Sequence, residues 1–119
     1  MGIIEKIFGK KTGKTISAPE HAVIVSFTYG STDLSSLFAL EEQLEEVIVK
    51  TGVGEYDGNE VATDGGDGIL YMYGPNADAL FAAVRPTLEA MEFMKKAHVK
   101  LRYGPRQAGI RESEIVINP

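Results

Sequence analysis

Acidic side chains crowd one stretch of the chain: Glu55, Asp57, Glu60, Asp64 and Asp67 all fall between positions 55 and 67. Several carboxylates converging on one point would hold calcium or magnesium. A pair of them could also serve as acid and base in glycoside cleavage. The spacing matches no EF-hand loop, and strand alternation sends neighbouring acids to opposite faces. If 53–57 is extended, Glu55 and Asp57 share a face. No aromatic-lined cleft accompanies them, and tryptophan is absent. A solvated turn is the plainer reading, so neither a catalytic residue nor a metal site is assigned.

A basic set answers the acidic one. His98, Lys100 and Arg102 alternate with Val99, Leu101 and Tyr103, and Arg106 and Arg111 follow. Such a row binds an anion, meets a charged partner, or discourages edge-to-edge aggregation of a strand. His21 and His98 are the only histidines. A zinc site built on them would need a carboxylate as well, and exposed positions at strand starts are expected instead.

Other chemistries fail on spacing or context. Phe8 to Thr15 mimics a phosphate-binding loop, but phenylalanine stands where its first glycine is needed, and no strand precedes it. Gly52-Val53-Gly54 begins a dinucleotide fingerprint, but Asp57 replaces the third glycine and no helix follows. No serine or threonine has the context of a catalytic nucleophile. With no cysteine in the chain, disulfides, thiol catalysis and cysteine-bound metals drop out. No cofactor is expected.

The elements that would position these residues follow from hydrophobic periodicity. His21–Tyr29 reads as a strand with Val23, Val25, Phe27 and Tyr29 on one face and Ile24 on the other. A helix over Leu34–Lys50 carries Leu37, Leu40, Leu44, Val47 and Ile48 as its apolar stripe, and Gly52 ends it. Val53–Ala62 and Ile69–Tyr73 form a hairpin around Asp64-Gly65-Gly66-Asp67-Gly68. Asn76 caps a second helix over Ala77–Met94, with Pro86 kinking or breaking it. His98–Tyr103 is the next strand, and Glu114–Ile117 could add a last one. The expected fold is α+β: a ferredoxin-like βαββαβ sandwich, its antiparallel sheet carrying two helices on one face.

Bulk properties agree. The chain has 119 residues, 44% of them hydrophobic and 24% charged, enough for one cored domain. Residues 1–20 read as an amphipathic segment and linker, and 21–119 as the domain. The net charge is −5, yet the first 17 residues carry Lys6, Lys10, Lys11 and Lys14 against Glu5. An acidic body disfavours nucleic acid. Phe27, Tyr29, Tyr71 and Tyr73 could stack RNA bases on central strands, but Asp67-Gly68-Ile69 replaces the basic signature, so packing in a core or dimer is expected. No apolar run approaches a membrane span. Residues 1–14 could touch a membrane surface through Ile3, Ile4, Ile7 and Phe8. No signal sequence is evident at the start, and a cytoplasmic location is expected.

The stretches Gly52 to Glu60, Leu70 to Phe81 and Leu101 to Pro105, reading GVGEYDGNE, LYMYGPNADALF and LRYGP, resemble a group of small bacterial proteins of unassigned function. The resemblance covers 21–117 and implies the ferredoxin-like plan without an activity. The functional expectation is a non-enzymatic protein-interaction or regulatory module, in one form an immunity-type protein masking a basic partner. It would act through the sheet face left open, or self-associate there, with Glu55, Asp57, Glu60, Tyr71, Tyr73, His98, Lys100 and Arg102 as its surface. The alternatives are a small-molecule enzyme with Glu55 or Asp57 as base and Arg102 as anion clamp, and a membrane-peripheral protein.

Overall fold

The computed structural model describes residues 21–119; the amphipathic segment and the phosphate-loop look-alike lie outside them. The described chain is α+β. It runs β1 (His21–Thr28), α1 (Ser35–Thr51), β2 (Glu55–Val61), β3 (Asp67–Gly74), α2 (Ala77–Glu89), a 3₁₀ turn (Glu92–Met94), β4 (His98–Arg102) and β5 (Glu112–Val116). The strands form one five-stranded sheet in the order β2-β3-β1-β4-β5, and every neighbouring pair is antiparallel.

β1 lies at the centre. Val23 stands opposite Met72 and Leu101, and Val25 opposite Leu70 and Val99. All six are buried in one core with Leu37, Leu40, Leu44 and Ile48 of α1 and Leu80, Phe81, Val84 and Leu88 of α2. The helices therefore cover the face that these alternate strand residues present. At roughly 25 cal/mol per Å² of apolar area, each such side chain contributes about 1.5–3 kcal/mol. Ile24, Ser26 and Thr28 alternate with the core residues and face the uncovered side, where none of them is fully buried.

The helix ends follow local chemistry. Asp33 accepts hydrogen bonds from the Ser35 backbone N–H at 3.0 Å and from its hydroxyl at 2.7 Å. These bonds hold the Asp33 carboxyl below its ordinary range. Gly52 closes α1 at φ 69°, where only glycine sits without strain, and its N–H reaches the Ile48 carbonyl. At the start of α2, Asn76 accepts the Ala79 N–H at 3.0 Å.

Two expectations need correction. α2 stops at Glu89 rather than continuing to Met94. The helix runs through Pro86 without a break, the Ala90 N–H still reaching the Pro86 carbonyl at 3.2 Å, and by Met91 the backbone is extended. The histidine at the start of β1 is not a solvent-facing strand end either. His21 is half-buried, its Nδ1 accepts the first N–H of α2, from Ala77, at 3.0 Å, and its ring meets Tyr103 edge-on.

β2 is irregular. Its register against β3 shifts between Tyr56 and Asn59, so the extra residue re-phases the strand. The Tyr56 hydroxyl and the Asn59 amide both donate to one carboxylate oxygen of Glu41 on α1. Burial, followed by the nearby Glu41 charge, pushes the Tyr56 phenol far up. One carboxylate thus ties the bulge to the helix. Replacing Glu41 with alanine strands two half-buried donors and should cost about 1–3 kcal/mol. The exposed neighbour Glu42 changed to alanine should stay within about 0.5 kcal/mol. Urea unfolding monitored by circular dichroism measures both; equal losses would show that Glu41 holds nothing.

Candidate functional site

The uncovered sheet face holds a depression of about 790 Å³. Its floor and sides include Ile24 of β1, Tyr71 and Tyr73 of β3, and Lys100 and Arg102 of β4. Asp57 and Glu60 of β2 bound one side, and Arg106, Gln107 and Glu112 the other. The antiparallel ladder explains this convergence. Ile24 pairs with both Tyr71 and Lys100, so all three side chains project to one face at one level.

Of the surface residues expected from sequence, Asp57, Glu60, Tyr71, Tyr73, Lys100 and Arg102 line the depression. Glu55 and His98 do not. Glu55 pairs with Tyr73 at the start of β2 and is exposed, and His98 is exposed at the start of β4, opposite Ser26. The bulge brings Asp57 and Glu60 together, a re-phasing that Gly58 alone did not announce.

The four aromatics do not form one platform. Phe27 and Tyr29 belong to the helix-covered side, where both rings pack against Phe93. Only Tyr71 and Tyr73 face the depression. The two histidines are separated as well. Antiparallel pairing puts His98 opposite Ser26, five residues along β1 from His21, or about 17 Å at the rise of a strand. They cannot share a zinc ion, and the described residues contain no cluster of metal-ligating side chains. Gly52 is a helix cap, and Gly54 lies against the Tyr73 carbonyl, so the glycine pair serves packing rather than a dinucleotide.

The segment 104–111 was legible only as a loop. Tyr103 anchors its base. Its hydroxyl donates to Asp78 at 2.8 Å and lies 2.9 Å from the Ser113 hydroxyl. Its backbone N–H reaches the Arg111 carbonyl, and the Arg111 guanidinium covers its ring at 4.3 Å. Arg102 Nε donates to the Gly104 carbonyl at 2.8 Å. The loop is pinned at both ends and presents Arg106 to the face. Lys100 has only a 4.0 Å contact with Glu112, a separation worth little in water.

The Tyr71 hydroxyl donates to Glu60 at 2.8 Å. Partial burial and this carboxylate push its phenol up to about 12, while the Arg106 charge pulls the other way. The site thus combines carboxylates, two phenols and three cations, an arrangement for polar and ionic recognition. Among the described residues that line it there is no histidine, serine, threonine or cysteine.

Comparison of the chain with protein-family models, with curated proteins and with solved structures found no match in any of the three. Among the described residues no helix is long and apolar enough to cross a membrane.

Because the neutral Tyr71 phenol is the favoured form, its contribution to stability is complete below the ordinary tyrosine range and is lost as pH rises through about 12. Ultraviolet titration of the protein against its Tyr71→Phe variant should reveal this late ionisation. Glu60→Ala should bring it down part of the way, since partial burial remains. Ionisation of Tyr71 in the ordinary range in the unsubstituted protein would show that the Glu60 contact does not form.

Proposed function

We propose that the chain is a non-enzymatic protein-interaction module whose contact surface is the open sheet face. One observation carries this reading: the charged and aromatic residues of four strands converge on one depression on the side the helices leave uncovered. The mixture of charge refines it. Acids on β2 lie across the face from cations on β4 and its loop, so a partner of mixed charge fits better than a uniformly basic one. The strand order β2-β3-β1-β4 supports the ferredoxin-like plan, with β5 added beside β4. A bacterial, cytoplasmic regulatory role is in keeping with the sequence resemblance and the lack of cysteine.

The enzyme reading has less behind it. Asp57 and Arg102 do border the same depression, but it is an open one, Glu55 stands outside it, and Arg102 is engaged with the Gly104 carbonyl. The membrane-peripheral reading rests on residues 1–14, outside the described structure.

Affinity capture with the full chain, read by quantitative mass spectrometry, tests the module. The triple variant Glu55→Gln, Asp57→Asn, Glu60→Gln should lose its partners, as should Lys100→Ala with Arg106→Ala. Neutralising Glu42, Glu45 and Glu46 on the outer side of α1 should leave capture unchanged. Loss with the acidic variant alone would favour masking of a basic partner. Capture untouched by either open-face variant would remove this surface.

A further inference from the structure

The sheet register orders the open-face charges into rungs. Glu55, Tyr73, Ala22 and Arg102 are successive ladder partners across β2, β3, β1 and β4. Glu60, Ile69, Ser26 and His98 form another such rung. Between them Tyr71, Ile24 and Lys100 are partners, with Asp57 in the bulge at that level. Each rung therefore starts with an acid on β2 and reaches a basic side chain on β4, with aromatic, aliphatic or small residues between; on β5, beyond them, Glu112 stands opposite Arg102 and Glu114 opposite Lys100.

Within one copy the β2 acids and the β4 bases cannot meet. Three strand spacings separate β2 from β4, or about 14 Å. Glu55 and Asp57 have no ion pair or hydrogen bond through their side chains among the described residues, and neither does Arg106.

A second copy of the same face supplies a basic side chain for each β2 acid. Take a two-fold axis between two facing sheets, parallel to the strands and above the gap between β1 and β3. Rotation about it lays β2 of each copy over β4 of the other and keeps each residue at its own level. Glu55 then faces Arg102 of the partner subunit, Asp57 faces Lys100 of the partner subunit, and Glu60 faces His98 of the partner subunit. The same contacts recur on the other side of the axis. Tyr71 lies over Ile24 of the partner subunit at the centre. An in-plane axis across the strands would instead set β2 over β2 and oppose like charges. Of these two orientations the face is self-complementary in the first, the condition for an isologous dimer.

We infer that the open sheet face is a dimer interface that binds a second copy of this chain, with the β2 acids of each copy set against the β4 bases of the other. The inference rests on the open-face reading above and names the partner. Four strands by about five residues span about 19 by 17 Å, which places the contact among small, weak interfaces, under about 1,200 Å² in total. The dimer is concentration-dependent, and salt weakens it because its charges lie near solvent.

Sedimentation velocity of the full chain across a concentration series tests this with a charge swap. The acid-reversed variant Glu55→Lys, Asp57→Lys, Glu60→Lys places cations against cations. The base-reversed variant Lys100→Glu, Arg102→Glu places acids against acids. Each alone should dimerise at least about 100-fold more weakly than the unsubstituted chain. Mixed in equal amounts they should form a heterodimer, because the reversed columns now attract and the untouched columns still match. Circular dichroism checks the fold; if Arg102→Glu unsettles the loop, His98→Glu with Lys100→Glu makes the same reversal. An unsubstituted chain that stays monomeric in low salt overturns the inference, as does a dimer that neither reversal weakens or that mixing fails to restore. If the chain is monomeric while the same variants lose capture of another protein, the open-face reading stands and self-pairing falls. If capture is also unaffected, both fall.

Discussion

The placement of every surface residue in this domain depends on one constraint: the burial of alternate side chains of β1 beneath the two helices. Val23, Val25 and Phe27 point into the core, and β1 is hydrogen-bonded on both sides, to β3 and to β4. With a side-chain period of two, that burial fixes which residues of all three strands face outward. A slip of one residue would drive Lys100 and Arg102 under the helices and expose Val99 and Leu101. The cost of burying those charges holds the register. The charged character of the open face is thus a consequence of how the core packs.

The features around the face act through that frame. Glu41 fastens the β2 bulge to α1, and the bulge sets Asp57 and Glu60 beside the tyrosines. Tyr103 joins β4 to α2 through Asp78 and to β5 through Ser113, so the loop carrying Arg106 hangs from two fixed points. The result is a face with acids along β2, cations along β4 and its loop, and the acids Glu112 and Glu114 of β5 beyond them. Opposite charges held about three strands apart cannot neutralise one another at such a distance in water. They are available to a surface carrying the reverse pattern.

The regular parts of this arrangement were legible in the sequence. The alternation in 21–28 and 98–102 gave the two faces of β1 and β4, and the 3.6-residue stripes gave the buried sides of both helices. Gly52 and Asn76 marked helix ends by their conformational and hydrogen-bonding preferences. What escaped depends on contacts distant in sequence. Period-two reading carries no signal for the bulge at Tyr56–Asn59, which is held by a glutamate on another element. The antiparallel register that parts His21 from His98 becomes visible only once strands are paired. The turn-rich composition of 104–111 marks a loop without saying over which face it stands. The role of His21 as acceptor for the first N–H of α2 likewise needs the fold to bring positions 21 and 77 together.

The most direct test of the open face as the contact surface is a concentration series of ¹⁵N–¹H correlation spectra of the full chain at low salt. The account predicts shifts that grow with concentration at Ile24, Tyr71, Tyr73 and Lys100 and vanish on adding salt. Phe38 and Val49, the exposed apolar residues on the outer side of α1, should not move. Concentration-dependent shifts confined to α1, or none at any concentration, would contradict it.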